Sequence, residues 1–530
     1  MKRLTPQEEE KYASYKELTG EQFVEVMQTG ECKGYQAKLR KNALKETTII
    51  ISKVIVTSKI DIKYKTKFVN AIILRHNLFK FKFTTTYGIF HSFFYIDGSE
   101  FRSHISINGG EFLSDFAIFD GTFNSGLYIS GGQFVSIRLH GGKHKSNFII
   151  SGGSFCTINI GGGEYISNFI VSGGDFIDEF SITGGDFFSD FKVYNGIFCS
   201  GSSFIIKSGK FHSDFRINGG SFQAPFNIDG GEFYSDVIVN GGLFYLDFKI
   251  LGGLFHSGLF LTSISDREIK SPLSINELTI DLDHKDLALN IVKINIHKLI
   301  IRNMYSLKTL RIIDIDMTND SQLILVQNST LTNTELIGCD WAEATLQVDN
   351  SNLMGLFYTD TLFPTKITSS EDSTKNNLEQ VRDTYSQLQT VAKKQNDRES
   401  SLYFQSKANE HIFQLQKMKL LGTPPKYWNY AAIWKKGWGE FLQLLLNKYS
   451  NDFGQSYLRA FVMLFVCTAI LFCFYVPSVA PDLVWTWNPL DIPQGLADGF
   501  RLYGDNFFYF INPIRKTGFL CPDATCTGAH

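Results

Sequence analysis

A chain of 530 residues and 60.0 kDa has room for about three to four average domains and a sizeable core. With 51 Lys and Arg against 53 Asp and Glu, a net charge of -2 and a pI near 6.6, it carries no global field to attract nucleic acid. Its 43% hydrophobic and 20% charged residues exclude both a mainly disordered chain and a polytopic transporter. The abnormal values are 48 Phe and 45 Gly beside 12 Pro, which call for many equivalent core slots and turns, and so for a repeat.

The N-terminus, MKRLTPQEEEKYASYKELTG, has an acidic run and no apolar stretch of signal-peptide length. Residues 1–45 read as a helical cap, with Tyr12, Tyr15, Leu18 and Phe23 near one face. From residue 46 to 262 an 11-residue unit, GG-x-F-x-S-x-F-x-I-x, recurs, as in GGEFLSDFAIF from Gly109. Its first aromatic slot falls at Phe79, Phe90, Phe101, Phe112, Phe123, Phe134, His144, Phe155, Tyr165, Phe176, Phe187, Phe198, Phe211, Phe222, Phe233, Phe244 and Phe255. Inside a unit the apolar residues alternate with period two, as in a strand buried on one face, and the Gly-Gly pair supplies a tight corner. Short strands joined by corners too tight for a helix stack best as a parallel β-solenoid. Steps of 10 residues at Phe134 to His144 and at Phe155 to Tyr165 alternate with steps of 11, which favours two units, about 22 residues, per coil over the alternative of three units.

From 263 to 365 the double glycine fades, but apolar alternation persists with Asn, Asp and Ser at the breaks, so the solenoid continues less regularly. Over 366–425 the period changes. Leu378, Val381, Tyr385 and Leu388, and then Ala408, Ile412 and Leu415, fall three and four apart, predicting a pair of amphipathic helices forming a hairpin, broken near 395–399. The fold class expected is mainly β, a solenoid followed by this helical hairpin and a C-terminal transmembrane helix.

That membrane domain is expected over 426–530. Trp428, Trp434, Lys435, Lys436, Trp438 and Arg459 mix aromatic and basic residues as a bilayer interface requires. Then 22 residues, Ala460 to Pro481, hold no charge, and Ala460, Phe461, Leu464, Phe465, Ile470, Leu471 and Phe474 are the expected lipid-spanning side chains. Basic residues precede this span while Asp482, Asp491, Asp498 and Asp505 follow it, so the positive-inside rule predicts a single pass through a plasma membrane, with the solenoid cytoplasmic and the C-terminus outside. There Cys521 and Cys526 form either a disulfide or two free thiols.

The order VDNSNLMGLFYTDTLFP, DTYSQLQTVAKKQND, FQSKANEH, KYSNDFGQSYLRAF and FFYFINPIRK between Asp349 and Lys516 resembles the C-terminal half of bacterial pentapeptide-repeat-type membrane proteins. Those proteins join a cytoplasmic β-solenoid to a small channel-like membrane domain. The resemblance spans roughly a third of the chain. It implies no catalytic residues, and the sequence holds no TVGYG-like filter.

Chemistry is otherwise sparse. Asp115, Asp190, Asp214, Asp236 and Asp247 share one unit position with Asn147 and Asn168. Stacked carboxylates of that kind serve either polysaccharide cleavage or the lining of a solvated bend. His140, His144, His212 and His256 suggest no metal set, no cofactor is expected, and no phosphate loop follows a strand. The leading expectation is a non-enzymatic scaffold that binds a protein or small ligand on its solenoid and couples to a membrane segment, which oligomerises with copies of itself into an ion-conducting pore. The alternatives are a passive tether and a carbohydrate-active β-helix enzyme.

Overall fold

The computed structural model describes residues 6–41, 47–263, 273–282, 287–305, 307–317, 321–370, 374–421, 438–451, 453 and 456–479. Two compact units divide the chain, one over residues 1–397 and one over 398–530.

The first unit is a tube built almost wholly of parallel strands. A 14-stranded sheet takes one strand from each coil and so counts 14 coils, while a 29-stranded sheet runs over the other flanks. Six buried columns fill the tube, those of Phe112, Phe116, Ile118, Phe123, Leu127 and Ile129. Phe112, Phe134, Phe155, Phe176, Phe198, Phe222 and Phe244 pair coil to coil in the first column. On the opposite flank Phe101, Phe123, His144, Tyr165, Phe187, Phe211, Phe233 and Phe255 pair in the same way. Successive residues of a column are therefore two units apart, as the alternating 10-residue steps imply. Within a column the rings lie face to face, for example Phe79 on Phe101 at 4.3 Å and 2°. Between columns of one coil they meet edge to face, as Phe187 does with Phe191 at 5.2 Å and 89°. Phe187 thus has two stacked neighbours, Tyr165 and Phe211, and two perpendicular ones, Phe169 and Phe191, an arrangement the aromatic quadrupole favours.

Through the Phe-rich coils, as far as Phe255, the coil changes length on one flank only. Between the Phe112 column and the column holding Phe116, Ile137, Ile158, Phe180, Phe204 and Phe226, the spacing is four residues at Phe112–Phe116, three at Phe134–Ile137 and six at Phe198–Phe204. The ladder accordingly shifts register between Phe112 and Asp115 and again between Phe155 and Thr157. Bulges absorb such differences without disturbing the neighbouring strands. At the corners Gly110 has φ 108°, and a Cβ there would lie 2.6 Å from the Gly88 carbonyl oxygen of the preceding coil. Only glycine fits both the backbone and the coil spacing. In the later coils left-handed Asn303, Asp314, Asn328, Asn350 and Asp360 take the corners instead, as short polar side chains that tolerate this conformation do.

Both ends of the tube are closed. The N-terminal segment differs from an all-helical expectation: α1 (Pro6–Tyr12) and α2 (Gly20–Thr29) are joined by a strand, Lys16–Leu18, that pairs in parallel with Val54–Val56. Phe23, Val26 and Met27 of α2 are buried, and Phe23 meets Phe79 edge to face at 5.2 Å. Three residues of strand carry no readable periodicity, which is why the sequence pattern suggests helix throughout. At the other end α3 (Thr374–Lys394) buries Val381, Tyr385 and Leu388. Gln387 accepts from the Leu353 N–H at 2.6 Å and donates to the Ser351 carbonyl at 3.2 Å. Gln395 accepts from the Tyr358 N–H at 3.3 Å and donates to the Leu356 carbonyl at 3.4 Å. These two amides supply the bonds a further strand would have made to the open edge.

The second unit contains α4 (Arg398–Leu421), α5 (Trp438–Asn451) and α6 (Tyr457–Val479). The helix break falls at 395–397, where Asn396 takes φ 60°, matching the expected interruption. Among the described residues no helix is long and apolar enough to cross a membrane, so the expected transmembrane helix is not borne out there. The described side chains of α6 end at Ile470, which leaves 14 residues where about 20 are needed. The side chains of Leu471 and Phe474, together with Trp428, Trp434, Lys435, Lys436, the Trp438 side chain, Cys521 and Cys526, lie outside the described residues.

Candidate functional site

The recurring acids separate into two sets. Asp190, Asp214 and Asp236 share one corner with Asn147 and Asn168, whereas Asp115 and Asp247 stand on the opposite flank. Equal positions in successive 11-residue units alternate between sides of the coil, so the single acidic column suggested by the repeat is corrected to two separate groups. On the first corner each Asx accepts from a serine of the next coil: Ser167 to Asn147 at 2.6 Å, Ser189 to Asn168 at 2.6 Å, Ser213 to Asp190 at 2.5 Å, Ser235 to Asp214 at 2.5 Å and Ser257 to Asp236 at 2.6 Å. This hydrogen-bonded rail runs along the corner whose length never varies, four residues from Phe123 to Leu127 and again from Phe211 to Phe215.

Lys192 pairs with Asp190 at 2.8 Å and Arg216 with Asp214 at 2.5 Å. Partial burial acts to raise both carboxyls. The hydrogen bonds from these cations and from Ser213 and Ser235 outweigh it and hold both below the usual carboxylate range. A general acid needs the opposite shift. Asp115 lies 3.4 Å from Arg138, and Asp247 lies 2.5 Å from Lys249. Asp115, Asp190, Asp214 and Asp247 therefore each carry a neutralising cation, and Asp236 accepts from the Ser257 hydroxyl and the Gly258 N–H.

His144 occupies a Phe slot, 1% exposed. It is stacked between Phe123 at 4.5 Å and Tyr165 at 4.8 Å, with interplanar angles of 4° and 6°. Neither ring nitrogen completes a hydrogen bond. Burial pushes the imidazole down to about 3, against a smaller pull from the Gly141 carbonyl, so it is neutral and packed. His212 and His256 share one surface row with Phe188 and Tyr234, and successive rings are 4.7 to 4.9 Å apart. Among the described residues no group of three or more His, Cys, Asp or Glu is placed to hold a metal ion. The core cavity bordered by Leu336, Trp341 and Leu388 measures about 30 Å³, room for little more than a water molecule or two.

The second unit presents a different chemistry. Ser456 starts α6, its hydroxyl accepting from the Arg459 N–H at 3.2 Å, as an N-cap does. Phe413 of α4 stacks on Phe441 of α5 at 5.2 Å, and the Lys448 ammonium sits 4.9 Å over the Phe413 ring. Beyond its cap α6 exposes Phe461 (61%), Leu464 (54%), Phe465 (44%) and Ile470 (51%), together with Leu458, Val462 and Val466. At 100° per residue these positions cover roughly two thirds of the helix circumference. Ala460, on the remaining arc, is half-buried. Thr468 donates its hydroxyl to the Leu464 carbonyl at 2.6 Å, which removes the one polar group of this stretch from its surroundings. Leu442, Leu446 and Tyr449 of α5 are likewise exposed.

This architecture places the chain among parallel β-solenoid proteins that carry an appended helical unit. No family model, curated protein or solved structure matches it.

Proposed function

We propose that this protein is a membrane-anchored, non-enzymatic β-solenoid scaffold, held to a plasma membrane by α6 with its solenoid on the cytoplasmic side and its C-terminus outside. The observation that carries this reading is the apolar exposure of α6. Seven aliphatic or aromatic side chains face outward around most of its circumference, and a water-soluble helix shows such residues on one stripe only. The internal bond of Thr468 supports the same conclusion, since a hydroxyl without water must find a partner in its own helix. Charge-free sequence continues from Ala460 to Pro481, which is the length a bilayer requires.

The solenoid then acts as the binding or sensing part, and the pentapeptide-repeat-type resemblance makes the membrane part channel-like. One helix per chain encloses no pore, so conduction requires several copies. Partnered acids along both corners favour a structural role for the Asp residues over glycoside chemistry. The test is ion flux through liposomes reconstituted with the full chain, against a chain truncated after Leu421. Flux confined to the full chain is expected. A full chain that stays in the membrane without flux would reduce the reading to a tether, and a full chain that leaves the membrane would overturn it.

A further inference from the structure

The 14-stranded sheet pairs coil to coil without a register shift, from Ile60–Ile62 in coil 1 to Leu356–Thr359 in coil 14. One outward row runs along the middle of this face. It begins at Asp61 in coil 1, reaches Arg311 in coil 12 and Glu335 in coil 13, and between them carries Tyr128, Ile149, Ile170, Ile238 and Phe260. The bend that follows the strands is polarised along the tube. Lys63 and Lys65 stand on it in coil 1, Lys293 in coil 11 and Asp314 in coil 12, while its positions from Tyr87 to Ser263 carry no charge. Asp61, Arg311 and the four charged bend residues are exposed.

We propose that two copies of this chain pack through this face as a closed antiparallel dimer, coil 1 of each lying over coil 12 of the other. The two-fold axis runs parallel to the strands and passes between coils 6 and 7. A rotation about that axis reverses the tube but keeps the strand direction, so each row of one copy lies over the same row of its partner. Asp61 then meets the partner's Arg311, and Lys63 and Lys65 flank the partner's Asp314, each contact occurring twice. Within one copy Asp61 is paired with Lys59, Arg311 with Glu335 and Asp314 with Lys293, so the new contacts join these pairs into networks, which hold better than isolated surface pairs. Tyr128 meets the partner's Ile238. Lys192 and Arg216, neutralised by Asp190 and Asp214, lay their aliphatic stems over the partner's Ile170 and Ile149. In this register no like charges meet along the face. One coil either way they do, Asp61 falling on the partner's Glu335 or Lys63 and Lys65 on the partner's Lys293. Twelve coils at ~4.8 Å and four residues at ~3.3 Å give roughly 750 Å² per copy, the size of a standard stable interface. The two ends of one face complement each other, and this identifies the occupant as a second copy. The contact is isologous and closes at two chains. It rests on the solenoid alone and stands whether or not α6 enters a bilayer.

The test uses the detergent-solubilised full chain carrying Thr84→Cys and Asn290→Cys, treated with bismaleimidoethane, with linkages mapped by mass spectrometry. These positions lie in coils 2 and 11 of the face and meet across the proposed dimer. Within one chain they are nine coils, ~43 Å, apart, beyond the reach of this short reagent, so a link between them joins two copies. The expected product is that 84-to-290 link. Pairing Thr84→Cys with Ile170→Cys instead, five coils out of register, should give at least about tenfold less. Adding Lys63→Glu and Lys65→Glu to the first variant should lower its yield by about tenfold or more, since like charges then meet at two symmetric places. Asp314→Lys on that background should restore the yield. A link from position 84 to position 84, which a parallel pair would give, would overturn the proposal. So would absence of the 84-to-290 link, which would leave this face to a different partner, or a yield that neither falls with the glutamates nor recovers with Asp314→Lys. All the substituted side chains point outward from the core, and unchanged circular dichroism separates lost contact from lost fold.

Discussion

Replacing His144 by Phe should stabilise the middle coils and remove a specific pH dependence. The imidazole is buried between two rings, with both nitrogens unsatisfied, and its folded-state pKa is about 3 against an ordinary 6.5. The unfolded chain therefore binds a proton between these values that the folded chain does not. A depressed pKa of this sign gives full stability above pH 6.5 and loses it as pH falls, at about 1.4 kcal/mol per pH unit. At pH 5 the loss is roughly 2 kcal/mol, and by pH 3 it is on the order of 5 kcal/mol. Phe fits the slot, because the residues above and below in the column are Phe123 and Tyr165. It also removes two unsatisfied polar atoms, each worth roughly 1–3 kcal/mol when buried. Amide hydrogen exchange over residues 134–176 at pH 7 and pH 5 reads the effect locally. The wild type should lose protection between the two, after correction for intrinsic exchange, and His144→Phe should not. Because Asp190 and Asp214 titrate below the usual carboxylate range, this window is free of them. Equal pH sensitivity in both chains, or a less protected variant at pH 7, would refute the argument.

Other changes follow from the same structure. Gln387→Ala should strip the bonds to Leu353 and Ser351 at the closed end and cost about 1–3 kcal/mol, seen as faster exchange at 351–359 with the early coils unaffected. Gly110→Ala forces a Cβ toward the Gly88 carbonyl at φ 108° and should cost on the order of 1–3 kcal/mol, measured as a lower thermal midpoint. Inserting one residue between Phe198 and Phe204 should be tolerated within about 1 kcal/mol, since this flank already varies in length. The same insertion between Phe211 and Phe215 should break the serine–Asx rail and reduce the yield of folded protein. Asp214→Asn should retain the Ser235 bond while losing the Arg216 ion pair, leaving the thermal midpoint at pH 7 within a few degrees of wild type.

Much of this fold is legible in the sequence because its determinants are local and repeated. The Phe period, the double glycine and the alternating 10-residue steps together imply the coil and its two halves. The same repetition misleads over the acids. Asp236 and Asp247 occupy one position of successive 11-residue units, yet half a coil separates them in space. Gln387 and Gln395 carry no signal of their cap role, because a glutamine on an amphipathic helix reads as solvated face until the strand edge it bonds to is in place. Nor does periodicity reveal the Lys16–Leu18 strand, whose partner Val54–Val56 lies 38 residues further on. The candidate membrane segment is legible from composition alone, and the structure adds that its apolar side chains point outward around α6.

The central claim is that α6 holds the protein in a bilayer. Alkaline carbonate extraction of membranes containing the full chain tests it most directly, compared with a chain carrying Phe461→Asp and Leu464→Asp, each aspartate costing roughly 2.5–3.5 kcal/mol at bilayer depth. The account predicts that the wild type stays in the pellet and the double variant is released with its solenoid still folded. Release of the wild type, or equal retention of both, would contradict it.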